Sequence, residues 1–160
     1  MNRTTAREIS VQLIFACANG KRSAEELLDD FFDNEHYCTL SEEDELFLET
    51  PEAKQLGYIR RLVSTAEEKR SELDGYIEKY AKGWKLQRIS KTALAVLRCA
   101  LCEILYLDIP PSAAIDEAVE LAKGYDEPDT VAFINGVLGG FMKGEFAGDS
   151  QPEEAKSEEE

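Results

Sequence analysis

The stretch from Ile109 to Leu138 constrains the fold more than any other part of the chain, because it encodes two short helices. The first begins near Pro110-Pro111 and the second near Pro128. Proline is favoured in the first turn of a helix, where its missing N–H would have no intrahelical acceptor. Small side chains recur four residues apart in the first helix, so one face of it can be approached closely by another helix. These residues are Ala114, Ala118 and Ala122.

Glycines mark the positions where these two helices are expected to stop or bend. Gly124 follows the last periodic residue of the first helix, which predicts a left-handed cap there. In the second helix, Asn135-Gly136 interrupts an apolar run and Gly139-Gly140 follows closely. We therefore expect a kink or a split at one of these sites, and a constrained or functional position at Asn135-Gly136.

Helix start signals recur along the rest of the chain. Capping-box patterns, in which Glu follows Ser or Thr by three residues, begin at Thr5, Ser23 and Thr65, and Thr50-Pro51 is typical of an N-cap followed by proline. Apolar residues recur with helical periodicity, and no segment alternates long enough to predict a strand. The predicted helices span residues 4–18, 23–36, 51–82, 90–107, 112–123 and 128–143. The third is expected to be one bent helix, with a weak point at Lys69-Arg70.

The sequence therefore predicts an all-α protein, a compact helical bundle of two packed halves. The first three helices should form one half, and the helices from residue 90 onward should form the other. Residues 1–144 would make up this domain. Residues 145–160 are acidic and have few apolar groups to bury, so a disordered acidic C-terminal tail is expected. The acidic loop 37–50 is expected to be mobile.

The distribution of charge decides whether a nucleic acid is a plausible ligand. The net charge of −15 argues against it, but residues 23–53 alone carry twelve acidic side chains and no Lys or Arg. Residues 1–22 and 79–91 are instead locally basic, and 79–91 contains five cations and no acid. Charges interact over only about 8 Å at physiological salt, so these two patches can still attract phosphate.

Several function classes find no support in the sequence. No apolar run is long enough to span a bilayer and the N-terminus lacks an apolar signal core, so a cytoplasmic protein with no membrane contact is expected. The single histidine, His36, lies in an acidic segment, so no Ser/His/Asp or Cys/His set is expected on rigid elements, and no glycine-rich phosphate loop occurs. We therefore predict neither an enzyme nor a cofactor.

The four cysteines are expected to be free thiols. Cys99 and Cys102 form a CxxC pattern, but a zinc site needs two further ligands, and Cys17, Cys38 and His36 are all distant in sequence. The pattern also lies in a run that is apolar on nearly every face. We interpret these cysteines as small buried hydrophobic residues and predict no metal site.

Three arginines call for an interpretation. Arg3 and Arg7 lie four residues apart, on one face of the first helix near its N-terminus, where backbone N–H groups also favour phosphate. They are expected to be exposed there, and from spacing alone an ordinary solvated face is the commoner interpretation. Arg98 lies within an apolar helix and needs a carboxylate partner, for which Glu103 and Glu117 are the candidates.

The second basic patch surrounds the single tryptophan, Trp84. Aromatic rings beside cations suit single-stranded RNA, since bases stack on the rings and the cations hold phosphates. Lys85, Arg88 and Lys91 are the RNA-binding candidates of this patch. Trp84 itself could equally be a core anchor where two helices meet, because lone tryptophans are usually well buried.

A set of short motifs recurs in a fixed order along the chain: Ala6-Arg7-Glu8, Val11-Gln12-Leu13, Trp84, Ala95-Val-Leu-Arg98, Glu103, IPPSAAIDEAVELAK from Ile109 and FINGVL from Phe133. In this order and spacing they resemble the transcription antitermination factor NusB family. The resemblance extends over roughly residues 3–143, nearly the whole chain, and implies an all-helical fold.

The resemblance also implies partners and site residues. Members of the family bind a short single-stranded leader sequence of ribosomal RNA transcripts, called boxA, together with the small-subunit ribosomal protein NusE, and this pair keeps RNA polymerase from terminating early. The implied RNA contacts at the start of the chain are Arg3, Arg7 and Gln12, and Asp129 and Phe133 match positions near the partner-protein surface. RNA polymerase would be an indirect partner.

The chain departs from the family at its start. Many members carry several consecutive arginines before the segment that matches Ala6-Arg7-Glu8, whereas this chain has Arg3-Thr4-Thr5. Fewer cations release fewer counterions, which weakens RNA binding. The alternative is therefore a helical adaptor that binds protein without binding RNA of its own.

Overall fold

The computed structural model describes residues 2–33 and 53–145, and within these two ranges all regular secondary structure is helical. The predicted all-α fold is confirmed. The helices are α1 (Arg3–Asn19), α2 (Ala24–Phe31), α3 (Ala53–Glu68), α4 (Arg70–Tyr80), α5 (Lys91–Tyr106), α6 (Pro111–Lys123) and α7 (Pro128–Glu145), and a 3₁₀ turn spans Leu86–Arg88. The predictions for loop 37–50, for the Thr50-Pro51 cap and for residues 146–160 fall outside the described residues.

Local caps account for where the first helices begin. Ser23 and Glu26 form the predicted capping box of α2, since the Ser23 hydroxyl accepts from the Glu26 N–H and the Glu26 carboxylate accepts from the Ser23 N–H. α1 begins at Arg3, one residue earlier than predicted, because Asn2 is its N-cap and accepts from the Thr5 N–H at 2.8 Å. α2 ends at Phe31, short of the predicted boundary.

The segment predicted to be one bent helix is two helices, α3 and α4, which meet at Lys69. Backbone hydrogen bonds still cross the junction, from the Lys69 N–H to the Thr65 carbonyl and from the Leu73 N–H to the Lys69 carbonyl, both at 2.9 Å. The two helices have different neighbours, since α3 packs mainly on α1 and α5 while α4 packs on α5 and α7. The capping-box pattern at Thr65 starts no helix.

α5 forms the centre of the bundle and contacts α1, α3, α4, α6 and α7. Every residue from Ala93 to Ile104 is buried, which is why this helix is apolar on nearly every face. α1, α2 and α3 form one half, and α6 and α7 form the other together with α4. The small-residue face of α6 is buried as the spacing predicted, at Ala114, Ala118 and Ala122.

α7 is continuous from Pro128 to Glu145, so the predicted split does not occur. Gly140 and Gly144 instead make room for Tyr80 of α4. A Cβ at position 140 would lie 3.3 Å from the Tyr80 ring, and a Cβ at position 144 would overlap its hydroxyl. Glu145, the first residue of the predicted tail, belongs to α7, and its carboxylate accepts hydrogen bonds from Lys79 and Tyr80.

The predicted left-handed cap at Gly124 is wrong. α6 does end there, but Gly124 has φ −81° and ψ −16°, which is right-handed. The Gly124 N–H bonds to the Leu121 carbonyl at 3.1 Å, and the Tyr125 and Asp126 N–H groups bond to the Ala122 carbonyl at 3.0 and 2.8 Å. These hydrogen bonds tighten the last turn of α6 and pair its terminal carbonyl groups, which a left-handed cap would otherwise do.

The predicted partners of Arg98 are wrong as well. Its Nε and Nη2 donate to the two carboxylate oxygens of Asp74, on α4, at 2.7 and 3.0 Å. Glu103 lies five residues further along α5 and therefore on a different side of the helix. Among the described helices, none has the length and apolarity needed to cross a membrane.

Candidate nucleic-acid interface

Arg7 lies in a buried ion-pair network, so the expectation of an exposed helix end is wrong. Only 5% of Arg7 and 0% of Glu103 is exposed. The Nε and Nη2 of Arg7 donate to the two carboxylate oxygens of Glu103 at 2.8 and 2.9 Å, and its Nη1 donates to Glu117 at 3.2 Å. All three guanidinium nitrogens are therefore committed to internal carboxylates of α5 and α6. An RNA contact of Arg7 stays a prediction, but the exposed side chain that it assumed is not present.

Tyr58 of α3 extends this network. Its hydroxyl donates to Glu103 at 2.7 Å, and the Cys99 thiol donates to the other Glu103 oxygen at 3.7 Å. Burial disfavours the charge on Arg7, but the hydrogen bonds and charge of Glu103 outweigh it and raise the pKa of Arg7 above its ordinary value. Burial raises the pKa of Tyr58, so its phenol remains a donor. The network thus ties α1 to α3, α5 and α6.

Arg3 lies one turn before Arg7 and differs from it in environment. Its guanidinium carbon lies 4.0 Å from the centroid of the Tyr58 ring, a cation–π geometry. Arg3 is half-buried, and its Nε has no hydrogen-bond partner within the described part of the chain. Of the two arginines that the sequence placed at this helix end, Arg3 alone keeps a substantial accessible surface.

Gln12 lies beside an acidic cleft. Its Nε2 donates to the hydroxyl of Tyr125 at 3.1 Å, and that hydroxyl donates to Glu8 at 2.6 Å. The cleft has a volume of about 340 Å³ and is lined by Thr4, Arg7, Glu8, Glu117, Glu120, Leu121, Gly124 and Tyr125. Its carboxylates repel phosphate, so RNA that reaches Gln12 must avoid the cleft. The sequence interpretation missed the half-exposed ring of Tyr125, which no motif marks.

Trp84 is 50% exposed, so its interpretation as a core anchor is wrong. It follows Gly83, whose φ of +81° is readily adopted only by glycine, and the Trp84 N–H bonds to the Ala81 carbonyl at 2.9 Å. The indole packs on one side against Phe133 of α7, with the ring centroids 5.5 Å apart and the planes tilted by 57°. A tight turn therefore presents the indole at the surface.

A cleft of about 130 Å³, called the aromatic cleft below, joins residues predicted for two different roles. It is lined by Trp84, Arg88, Ile89, Ser90, Ala93, Asp129, Thr130 and Phe133. Arg88 was predicted to bind RNA, whereas Asp129 and Phe133 were predicted to bind the partner protein. The turn before α5 and the start of α7 bring them together, although about forty residues of chain separate them.

The remaining basic candidates lie on two sides of the 3₁₀ turn. Lys85 is exposed and lines a second, open cleft with Gly83, Trp84 and Arg88. Lys91 is the first residue of α5 and lines a separate groove with Ala18 and Asn19 at the end of α1. Lys85 and Arg88 therefore line the surface beside Trp84, whereas Lys91 lines a groove beside the end of α1.

Cys99 and Cys102 show the burial that the sequence interpretation predicted. Cys17, Cys99 and Cys102 are free and buried, while Cys38 lies outside the described residues. In residues 2–33 and 53–145, no group of three or more His, Cys, Asp or Glu side chains could hold a metal ion. Burial raises the pKa of all three thiols, to about 11 for Cys17 and about 12 for Cys102.

We expect the free energy of unfolding to fall as the pH rises above about 9, the ordinary thiol pKa. The unfolded chain then releases thiol protons that the folded chain retains, and each thiol lowers stability by up to about 1.4 kcal/mol per pH unit until its folded pKa is reached. Urea unfolding at about pH 8 and about pH 10 measures the loss. A variant with alanine at Cys17, Cys99 and Cys102 is the control, and an equal loss in that variant would assign the effect to other groups.

Known proteins of one family match this chain over most of its length. The sequence model of the NusB family matches residues 4–143. The transcription antitermination protein NusB of Acetivibrio thermocellus is 42% identical over 144 residues, which is 89% of this chain and 90% of that protein. The structure of T. maritima NusB matches with a TM-score of 0.73 and 27% identity, over 89% of this chain and 92% of that one.

A further solved structure contains antitermination factors NusB and NusE in complex with double-stranded RNA. One of its chains matches this chain with a TM-score of 0.72 and 22% identity, over 89% of this chain and 96% of that one. At this identity the match shows a common fold.

Proposed function

Because the chain belongs to the NusB family, we propose that it is an RNA-binding transcription antitermination factor. Its RNA ligand is a boxA-like leader sequence of ribosomal RNA transcripts, and its protein partner is the ribosomal protein NusE. It acts by binding rather than by catalysis, in the cytoplasm, and reaches RNA polymerase through the complex that it forms. The known structure of antitermination factors NusB and NusE with double-stranded RNA supports the combination of NusE and an RNA as partners.

The aromatic cleft is the observation that carries the proposal. An indole that is half exposed leaves apolar surface in water, and a stacked base would cover it. Arg88 lines the same cleft and Lys85 lies beside it, so cations are available for the phosphates on either side of a stacked base. Phe133 supports the indole from the other side, which limits the freedom that the ring would lose on binding.

RNA and the partner protein would both bind at the aromatic cleft. Asp129 and Phe133 line it together with Arg88, so RNA and NusE would meet where α7 begins. The Asp129 carboxylate is exposed and repels phosphate, but it can accept hydrogen bonds from a basic side chain of the partner. Binding of one ligand would then help to place the other.

We assign the remaining contacts to Arg3 and Gln12 on α1 and to Lys91 at the start of α5, near the end of α1. Each of these residues keeps accessible surface. Arg7 is assigned to holding α1 on α5 and α6, because its nitrogens are committed to Glu103 and Glu117. The proposed RNA is single-stranded, because a base can stack on Trp84 only when it is not held in a duplex.

Fluorescence anisotropy with a labelled boxA leader RNA tests the proposal. We expect this protein with NusE to bind the RNA more tightly than either protein alone, with an affinity that falls steeply as salt is raised. The same RNA annealed to its complement, and a scrambled RNA of equal length, are the controls and should bind more weakly. Equal affinity for all three RNAs would contradict boxA recognition. Binding of NusE without any binding of RNA would establish the alternative, a helical adaptor.

A further inference from the structure

We propose that Tyr58 is a positioning residue for RNA binding, because its ring holds the guanidinium of Arg3 in place at the start of α1. This inference rests on the proposed function, since it assigns Arg3 a contact with an RNA phosphate. It concerns a tyrosine of α3 that the sequence interpretation did not single out.

The first step is the difference between the two arginines of α1. Arg7 is 5% exposed and bonded to two carboxylates, so its charge is already balanced within the bundle. Arg3 is half-buried: its Nε is buried and has no acceptor among the described residues, so a phosphate would contact the remaining part of the guanidinium. A phosphate that approaches this part of α1 therefore meets one arginine whose charge is not balanced by an adjacent carboxylate of residues 2–33 or 53–145.

The second step is the contact that holds Arg3. Its guanidinium carbon lies 4.0 Å from the centroid of the Tyr58 ring. An arginine side chain otherwise samples many rotamers, and ordering it on binding costs free energy. A guanidinium that already lies over an aromatic ring has lost much of that freedom before RNA arrives, so the contact favours binding.

The third step is what fixes the ring. The Tyr58 hydroxyl donates to the fully buried carboxylate of Glu103 at 2.7 Å, and the same carboxylate is bonded to Arg7. A continuous path therefore runs from Arg7 through Glu103 and Tyr58 to Arg3. Tyr58 is only 8% exposed, so it acts on RNA through Arg3 rather than by touching RNA itself.

Two substitutions of Tyr58 separate this role from a structural one. Tyr58→Phe keeps the ring beside Arg3 but removes the hydroxyl that anchors it to Glu103, so it should lower the melting temperature and reduce the RNA affinity of the complex with NusE less than Tyr58→Leu does. Tyr58→Leu removes the ring, and the affinity at low salt should fall by about 2- to 5-fold, as expected for loss of a partly exposed cation–π contact. The slope of log affinity against log salt should also become shallower, by up to about 0.7. A purely structural role would not change that slope.

A double-mutant cycle with Arg3→Ala decides whether Tyr58 acts through Arg3. In the Arg3→Ala background, Tyr58→Leu should cause no further loss of RNA affinity, and independent, additive losses would overturn the proposal. Arg22→Ala is the matched control, because Arg22 is an exposed arginine beyond the other end of α1, and it should bind RNA like the wild type.

All affinities are measured below the melting temperature of the least stable variant. Should Tyr58→Leu not fold, Arg3→Lys tests the same contact, because an ammonium keeps the charge but loses the planar stacking, and wild-type affinity and salt slope would overturn the proposal. If the wild-type protein with NusE does not bind RNA, the proposed function fails. If it binds RNA and Arg3→Ala binds equally well, only the role of Arg3 and Tyr58 fails.

Discussion

Replacing Arg7 by alanine is expected to destabilise the protein by about 3–5 kcal/mol, the usual result of removing one partner from a buried ion pair. The substitution leaves the carboxylate of Glu103, which is 0% exposed, without the two hydrogen bonds that it accepts from Arg7. Domains of this size are stable by about 5–15 kcal/mol, so a large part of the total would be lost. Urea unfolding followed by circular dichroism measures the change.

Two further variants sharpen this prediction. Arg7→Glu should lower the free energy of unfolding more than Arg7→Ala does, because it places a third carboxylate beside Glu103 and Glu117. Arg22→Ala removes the exposed ion pair with Asp30 and should cost less than about 1 kcal/mol. If Arg7→Ala unfolds at the wild-type urea concentration but loses RNA affinity, Arg7 is an RNA contact and the structural assignment fails.

Replacing Trp84 by alanine is expected to weaken RNA binding by the complex with NusE about 5- to 150-fold, the equivalent of the 1–3 kcal/mol that stacking of one base on an aromatic ring contributes. The indole is 50% exposed, so its removal should change the melting temperature much less than a core substitution would. Anisotropy titrations at constant salt give the affinity, and thermal unfolding gives the stability.

The controls for Trp84 distinguish stacking from charge. Trp84→Phe keeps an aromatic face and should retain most of the affinity, whereas Lys85→Ala and Arg88→Ala should each make the salt dependence shallower. If Trp84→Ala leaves the affinity for RNA unchanged while the affinity for NusE falls, the aromatic cleft binds the partner and the RNA contacts lie elsewhere.

The sequence by itself determined the helical class, the family and most helix boundaries. The cap at Ser23 and the prolines at the starts of α6 and α7 could be recognised because capping depends on residues within a few positions of each other. Apolar residues at helical spacing predicted the helix over residues 90–107, and its apolar run predicted that Cys99 and Cys102 are buried. The order and spacing of the motifs identified the family because they extend over nearly the whole chain.

Candidate site residues could be named from the sequence, but their environments could not. The spacing of Arg3 and Arg7 showed that they share a face of α1. It could not show which helices pack against that face. Only tertiary packing placed Glu103 against Arg7 and Asp74 against Arg98. The sequence left open whether Trp84 lies in the core or at the surface, and tertiary packing places its ring at the surface.

The same limit applies to the larger arrangement. α3 and α4 separate at Lys69 because they pack on different neighbours, and two of the glycines within the continuous α7 make room for Tyr80. The aromatic cleft exists only because the turn at Trp84 and the start of α7 meet in space. Sequence patterns report forces between residues one or two turns apart, whereas burial, ion pairing and clefts depend on contacts between distant segments, which are set by how all seven described helices pack at once.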